Sequence, residues 1–230
     1  MEKATRGLWR SRRVLAFRLM TDHPSNSRIR ALLVLGAPGS GKGTQGKILG
    51  CIPRFHHLAC GDVFRSLDTR TQLGQKFVEF SSRGELVPDD LTVQLWQENL
   101  EGRIESHAFK PEIDFLVLDG IPRNVEQARL MQSEIDILQV FHLSCPDRTE
   151  LARRIRKRAI KDNRLDDASE AVIQKRFATY EEETKPILEF YGQGLVTEID
   201  ASQAPAKVLY DILHRVMDFP EWKAVEALNV

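Results

Sequence analysis

The chain has 230 residues, of which 42% are hydrophobic and 29% charged, and its formal net charge is zero. This length permits one sizeable core with small inserts, and the balanced charge gives no reason to expect a nucleic-acid or membrane partner. Cys51, Cys60 and Cys145 are isolated and lack CxxC spacing, which argues against a disulfide framework and a structural zinc site and favours a reducing, cytoplasmic location. No apolar run approaches the roughly 18 residues of a membrane span, so none is expected.

Residues 1–28 are predicted to form a basic N-terminal extension. Residues 1–30 carry eight Lys or Arg against two acidic residues, so the rest of the chain is acidic by six charges. The longest apolar run in this segment, Val14–Phe17, is too short for the core of a signal peptide. The favoured interpretation is a disordered tail, or an over-long reading frame whose true start is Met20. An organelle presequence and an amphipathic surface anchor stay open as alternatives.

From residue 29 onward, short apolar runs alternate with helical patterns, which predicts an α/β fold with a parallel sheet flanked by helices on both faces. The predicted strands are Ala31–Leu35, Phe55–Cys60, Phe115–Leu118, Leu138–Leu143 and Leu195–Ile199. The predicted helices are Thr44–Leu49, Leu91–Glu101, Asp147–Arg158, Ala171–Glu183 and Pro205–Val216. In such a sheet ligands bind at the carboxyl ends of the strands, so Gly36 and Asp119 follow strands where a site is expected.

A glycine-rich segment, GAPGSGKGT, runs from Gly36 to Thr44 between the first predicted strand and the first predicted helix. Its glycines allow backbone N–H groups to wrap a phosphate chain, the helix N-terminus adds partial positive charge, and Lys42 adds a full one. The candidate phosphate ligands are Gly39, Ser40, Gly41, Lys42, Gly43 and Thr44. Gly43 stands where most phosphate loops carry the Mg²⁺-binding Ser or Thr, which disfavours a GTPase-like switch.

Several motifs in this order resemble those of the adenylate kinase family. They are GAPGSGKGTQ (36–45), CGDVFR (60–65), GELVPDD (84–90), LDGIPRNVEQA (118–128), RRIRKR (153–158), RLDD (164–167) and QKR (174–176). The resemblance covers residues 30 to 217 and implies a three-layer P-loop kinase with a five-stranded parallel sheet. It also implies an AMP-binding insert at 61–90 and a short, zinc-free lid at 158–176. The core would span 29–230, and short-lid members are commonly monomeric.

The resemblance implies a nucleoside-monophosphate kinase that transfers the γ-phosphoryl of Mg-bound ATP to AMP, reversibly. Arg65 and Arg123 would bind the AMP phosphate, while Arg158, Arg164 and Arg176 would close over the transferring group. Arginine suits this task because its planar fork binds phosphate oxygens bidentately. By spacing alone, the charge run at 153–158 is more typical of a solvated helix face than of a functional site. Asp119 would orient Mg²⁺ through water, and the ATP base would lie against Arg154 and near Gln203.

The monophosphate's base would lie against Gln127, Gly120, Cys60 and the backbone of Leu86 and Val87. Gln127 matches the glutamine that adenylate kinases direct at adenine, where UMP/CMP kinases usually carry Asn. Cys60, however, replaces a threonine typical of AMP-specific members, and a thiol is the weaker hydrogen-bonding group. A CMP, UMP or GMP kinase and a non-catalytic ATP-sensing module therefore stay open as alternatives.

Overall fold

The computed structural model describes residues 28–162 and 169–227. The strands are β1 (Ile29–Gly36), β2 (Phe55–Ala59), β3 (Phe115–Asp119), β4 (Ile135–Ser144) and β5 (Val196–Asp200). The first five helices are α1 (Lys42–Leu49), α2 (Cys60–Arg65), α3 (Gln72–Ser82), α4 (Asp89–Glu105) and α5 (Val125–Met131). The others are α6 (Arg148–Lys161), α7 (Glu170–Thr179), α8 (Ile187–Tyr191), α9 (Pro205–Val216) and α10 (Pro220–Glu226), and a π-helical turn (Tyr180–Thr184) follows α7.

The five strands form one parallel sheet in the order β2-β3-β1-β4-β5. This confirms the α/β, P-loop kinase architecture with a five-stranded parallel sheet. Asp119, the last residue of β3, is in register with Val34 of β1 on one side and with Ala59 of β2 on the other. The carboxyl ends of these three strands therefore meet at one edge of the sheet, which is where the phosphate loop leaves β1.

Alternate residues of the central strands are buried on opposite faces, because successive side chains of a strand point to opposite sides. Leu33 and Leu118 belong to a core that includes Trp96 of α4. Leu32 and Val117 belong to a second core that includes Ile212 of α9. Both faces are covered, so the sheet is the middle of three layers and its strands read as continuous apolar runs.

Several predicted boundaries differ from the structure. Cys60 is the first residue of α2 and not the last of a strand, so its side chain is held by a helix that starts at the sheet edge. The helix predicted at Ala171–Glu183 ends as an α-helix at Thr179 and continues as the π-helical turn. Asp147 caps α6 by accepting from the N–H groups of Thr149 and Glu150, whereas the Glu150 side chain pairs with arginines and does not close a capping box.

The predicted N-terminal extension lies outside the described residues up to position 27. Arg28 is tied to the fold, since it forms an ion pair of 2.6 Å with Asp136 at the start of β4 and donates to the Gln132 carbonyl. Among residues 28–162 and 169–227, no helix combines the length and the apolar character needed to cross a membrane.

Candidate active site

A cleft of about 960 Å³ opens at the carboxyl edge of the sheet. Every candidate residue that the structure describes lines it. These are Gly39, Ser40, Gly41, Lys42, Gly43, Thr44, Cys60, Arg65, Leu86, Val87, Asp119, Gly120, Arg123, Gln127, Arg154, Arg158, Arg176 and Gln203. Arg164 lies in 163–168, outside the described residues, as does the RLDD motif. Residues spread over 165 positions of the chain are thus brought to one cavity.

The phosphate loop depends on glycines whose backbone conformation other residues rarely adopt. Gly39 and Gly41 have φ angles of +85° and +99°, in the left-handed region. A Cβ atom on Gly39 would also lie 2.6 Å from the Leu151 carbonyl oxygen, so the loop packs directly on α6. The turn ends where Thr44 and Gln45 donate their N–H groups to the Gly41 carbonyl, at 2.9 and 3.0 Å. This bend aims the N-terminus of α1 at the cleft.

Lys42 folds back over the loop that carries it. Its Nζ donates to the carbonyl oxygens of Gly36 at 2.7 Å and Ala37 at 3.1 Å. Burial lowers its pKa from 10.5 to about 8, and the positive charges of Arg123 and Arg158 act in the same direction, while Asp119 opposes them. An anion that enters the loop would relieve this repulsion, so the ammonium group is arranged to bind phosphate.

Arg123 lies across the cleft in the segment that follows β3. Its Nε donates to the Gly120 carbonyl at 3.0 Å, which fixes the guanidinium while its outer edge remains exposed to the cleft. Enclosure by the protein lowers its pKa, and the neighbouring charges of Arg176 and Arg65 add to this effect against Cys60 and Asp119. The positive charges of Arg65, Arg123 and Arg176 together form a site that favours a multiply charged anion.

Cys60 lies beside these arginines at the start of α2 and is 4% exposed. Burial raises the pKa of its thiol to about 11, although Arg123 acts in the opposite direction. The thiol is therefore protonated at neutral pH. Arg65, one helix length away, pairs with Asp62 at 2.7 Å.

Gln127 is 1% exposed and both ends of its amide are hydrogen-bonded. Its Oε1 accepts from the backbone N–H of Arg123 at 2.7 Å, and its Nε2 donates to Asp89 Oδ1 at 2.7 Å. Asn124, the N-cap of α5, donates to both oxygens of Asp89 and accepts from the Gln127 N–H. This network joins the start of α4 to the segment that carries Arg123.

The other end of the cleft is built from α6 and the loop after β5. Arg154 donates to the Ala201 carbonyl at 2.8 Å and pairs with Glu150 at 2.7 Å, so its planar group is held against that loop. Gln203 in the same loop donates to the Asp200 carbonyl at 3.0 Å and to Asp211 at 3.3 Å. A flat face bounded by Arg154 and backbone groups can accept an aromatic base.

Asp119 is 9% exposed and its Oδ2 lies 3.6 Å from His57 Nε2. Gly43 faces the same oxygen, since a Cβ atom there would lie 3.4 Å from it. Carboxylate oxygens are the ligands that Mg²⁺ prefers, directly or through water. Among residues 28–162 and 169–227, no group of three or more His, Cys, Asp or Glu is arranged to hold a metal.

Comparisons with known proteins agree with this geometry. The adenylate kinase family model matches residues 34–195. An adenylate kinase from a Cyanothece species is 38% identical over 192 residues, covering 80% of this chain and 94% of that protein. The adenylate kinase of Thermus thermophilus is 34% identical over 78% of this chain and 92% of its own. Adenylate kinase 1 of Schistosoma mansoni is 32% identical over 203 residues, covering 87% of this chain and 98% of that protein.

The chain belongs to the adenylate kinase family. It is therefore a phosphotransferase, and the family supports a nucleoside-monophosphate kinase activity with ATP as the other nucleotide. The match spans the phosphate loop, Arg123 and Arg176, so the adenylate kinase assignment includes the elements that build the cleft.

Sequence reasoning missed two residues of this adenylate kinase site. Asp89 was treated only as part of a motif, and Asn124 was not singled out, yet together they fix the Gln127 amide. Asn124 could have been recognised as an N-cap three residues before Gln127. Asp89 is 38 positions away from Gln127, so no local signal could have connected them.

Proposed function

We propose that this protein catalyses the Mg-dependent, reversible transfer of the γ-phosphoryl group of ATP to AMP, forming two molecules of ADP. The observation that carries the proposal is one cleft at the carboxyl ends of the strands, where the phosphate loop follows the central strand β1, residues after β4 and β5 line one side, and residues after β2 and β3 line the other. Arg154 and Gln203 lie at one end, and Cys60 and Gln127 at the other. Two nucleotides bound in this way would meet at their phosphates.

ATP would bind with its phosphates in the loop from Gly39 to Thr44. The N–H groups at the start of α1 and the Lys42 ammonium would contact the β- and γ-phosphates. The adenine would lie against Arg154 and near Gln203, whose backbone and side chain line the cleft. Lys42 would exchange its contacts with the Gly36 and Ala37 carbonyls for phosphate oxygens.

AMP would bind at the opposite end, with its phosphate between Arg65 and Arg123. Its base would meet Gln127, with Cys60, Gly120 and the backbone of Leu86 and Val87 around it. Residues 61–90 would act as the AMP-binding insert, since α2 and α3 supply Arg65 and one wall of the cleft.

In the transfer step, an oxygen of the AMP phosphate attacks the γ-phosphorus while the bond from that phosphorus to the β,γ-bridging oxygen breaks. Arg123 would hold the attacking phosphate in line, and Arg158 and Arg176 would offset the charge on the transferring group. Arg164 is proposed to join them from the lid at 158–176. Asp119 would hold Mg²⁺ through water, and the bound ion would supply positive charge to offset that of the phosphates. All these groups come from one chain, so we propose that a monomer is active.

The test is diphosphate formation from Mg-ATP with AMP, CMP, UMP or GMP as the acceptor. Efficient turnover with AMP and weak turnover with the others is the expected result. A preference for CMP, UMP or GMP would overturn the proposal that AMP is the acceptor, although phosphoryl transfer at this cleft would still be supported. ATP binding without turnover of any monophosphate would favour an ATP-sensing module, and the matched Lys42→Met variant should then lose that binding as well.

A further inference from the structure

The Gln127 amide is held by partners whose hydrogen-bonding roles cannot be exchanged. The backbone N–H of Arg123 can only donate, and it lies 2.7 Å from Gln127 Oε1. The Asp89 carboxylate accepts, and it lies 2.7 Å from Gln127 Nε2. Rotation of the amide by half a turn would set donor against donor at Arg123 and acceptor against acceptor at Asp89. The position of its oxygen and nitrogen is therefore fixed by the protein.

Asp89 is itself held in place by Asn124, the N-cap residue of α5. Asn124 Nδ2 donates to both carboxylate oxygens, at 2.9 and 3.1 Å. The Asn124 side-chain oxygen accepts from the Gln127 N–H at 2.8 Å, which caps α5. Gln127 lines the cleft and Asp89 does not, so Asp89 acts on a ligand through Gln127.

After these bonds are made, the amide has one lone pair on Oε1 and one N–H on Nε2 left to offer. The amide therefore complements a base edge that presents a donor opposite Oε1 and an acceptor opposite Nε2. A 6-aminopurine has this order, with its exocyclic amine and N1. A 6-oxopurine has the reverse, with O6 as an acceptor and N1–H as a donor.

We propose that Asp89 is a specificity-determining positioning residue, which locks the Gln127 amide so that the site accepts 6-aminopurine and rejects 6-oxopurine monophosphates. The inference rests on the proposed function, because it assumes that Gln127 faces the acceptor nucleotide's base. A 6-oxopurine in this site either faces two mismatched groups or forces the amide to turn and lose both of its buried bonds. Either way the rejection comes from leaving polar groups unpaired.

The experiment measures kcat/KM for AMP and for inosine monophosphate, which differs from AMP only in the 6-position and its N1 proton. Wild-type protein is expected to prefer AMP strongly. Asp89→Asn can offer an amide N–H to the turned Gln127 amide while its oxygen still accepts from Asn124, so one of the two mismatches of the turned amide is removed. The ratio of kcat/KM for AMP to kcat/KM for inosine monophosphate should fall by about tenfold or more. This is the factor expected when one buried polar group is left without a partner.

Asp90→Asn is the matched control. It makes the same change of charge at the next residue of α4, at an exposed position with no contact to Gln127, and its ratio should equal that of wild type. A merely structural role for Asp89 would lower kcat/KM for both substrates together and leave the ratio constant. That constant ratio in Asp89→Asn would overturn the proposal.

Asn124→Ser provides a second variant in case Asp89→Asn does not fold. Serine can still cap α5, but it cannot donate an amide N–H to Asp89, so the ratio should fall in the same direction by less. An unchanged ratio in this variant counts against the proposal equally. Wild-type protein that uses inosine monophosphate as well as AMP would overturn the inference alone. Wild-type protein that phosphorylates neither would overturn the proposed function, and the inference with it.

Discussion

Lys42 Nζ lies 2.7 Å from the Gly36 carbonyl oxygen, so the first residue of α1 contacts the glycine at which the phosphate loop leaves β1. The contact closes the loop into a ring around the space where phosphates would bind. A second bond, to the Ala37 carbonyl, holds the ammonium group in place. The positive charge is thus positioned before a nucleotide arrives, which reduces the reorganisation needed on binding.

Replacement of Lys42 by methionine should abolish phosphoryl transfer and leave the fold intact. The variant keeps most of the apolar stem and removes the charge, and loss of one such group is expected to lower kcat by about 100- to 1000-fold or more. Steady-state kinetics and circular dichroism measure the two effects. Lys223→Met, on α10 and outside the cleft, is the control and should keep wild-type kcat. Retained activity in Lys42→Met would contradict the assignment of this loop.

The same lysine should make the stability of the nucleotide-free protein depend on pH. Burial lowers its pKa from 10.5 to about 8, so between those values the unfolded chain binds a proton that the folded chain does not. The free energy of unfolding of wild type should therefore rise with pH from about 8 towards 10.5, relative to Lys42→Met, and the difference should be constant below 8. Urea unfolding of both proteins across this range measures it. A flat or falling difference would contradict the burial of the charged form.

Gly46 should not tolerate a side chain, although it lies inside α1. A Cβ atom there would lie 2.3 Å from Nε2 of His57, whose side chain is only 10% exposed. Gly46→Ala is expected to lower the free energy of unfolding by about 1–3 kcal/mol through this overlap. Gly102→Ala on α4 meets no atom within 4 Å and should raise it by about 0.5–1 kcal/mol, because alanine favours the helix. Equal effects of the two substitutions would contradict the packing of His57 against α1.

The three cysteines should differ in reactivity although they share one chemistry. Cys51 is exposed, whereas Cys60 is buried with a pKa raised to about 11, so little of it is thiolate at neutral pH. Iodoacetamide followed by peptide mass spectrometry should label Cys51 first in the folded protein. Cys60 should react only after unfolding in urea. Labelling of Cys60 as fast as Cys51 in folded protein would contradict its enclosure between α2 and the cleft arginines.

The sheet could be predicted because its signal is local. Each strand is a short apolar run with a recognisable end. Strand β1 ends at the glycine-rich loop, and β3 ends at Asp119, which is followed by Gly120. Helix α9 has the predicted bounds Pro205–Val216, because proline at the first helical position marks its start. The short helices α2, α3, α5, α8 and α10 were not predicted, since their few turns depend on packing against neighbours more than on their own periodicity.

The residues that line the cleft could be predicted from the sequence, but the long-range contacts between them could not. The phosphate loop is indicated by its glycine spacing and the arginines by the family resemblance, and the structure brings the described ones to one cavity. The hydrogen bonds that hold the Gln127 amide could not be predicted in this way, because Asp89, which accepts one of them, lies 38 positions away in the sequence. The lowered pKa of Lys42 likewise depends on its burial, and further on Arg123 and Arg158, which are distant in sequence.

The most direct test of the account is the fate of the γ-phosphoryl group of ATP. Protein is incubated with Mg-ATP labelled at the γ-position and with unlabelled AMP, and the products are separated. The label is expected at the β-position of newly formed ADP, and Lys42→Met should form none. Label that is released as inorganic phosphate, or that stays in ATP while the nucleotide is bound, would contradict the claim that this cleft transfers phosphoryl groups between nucleotides.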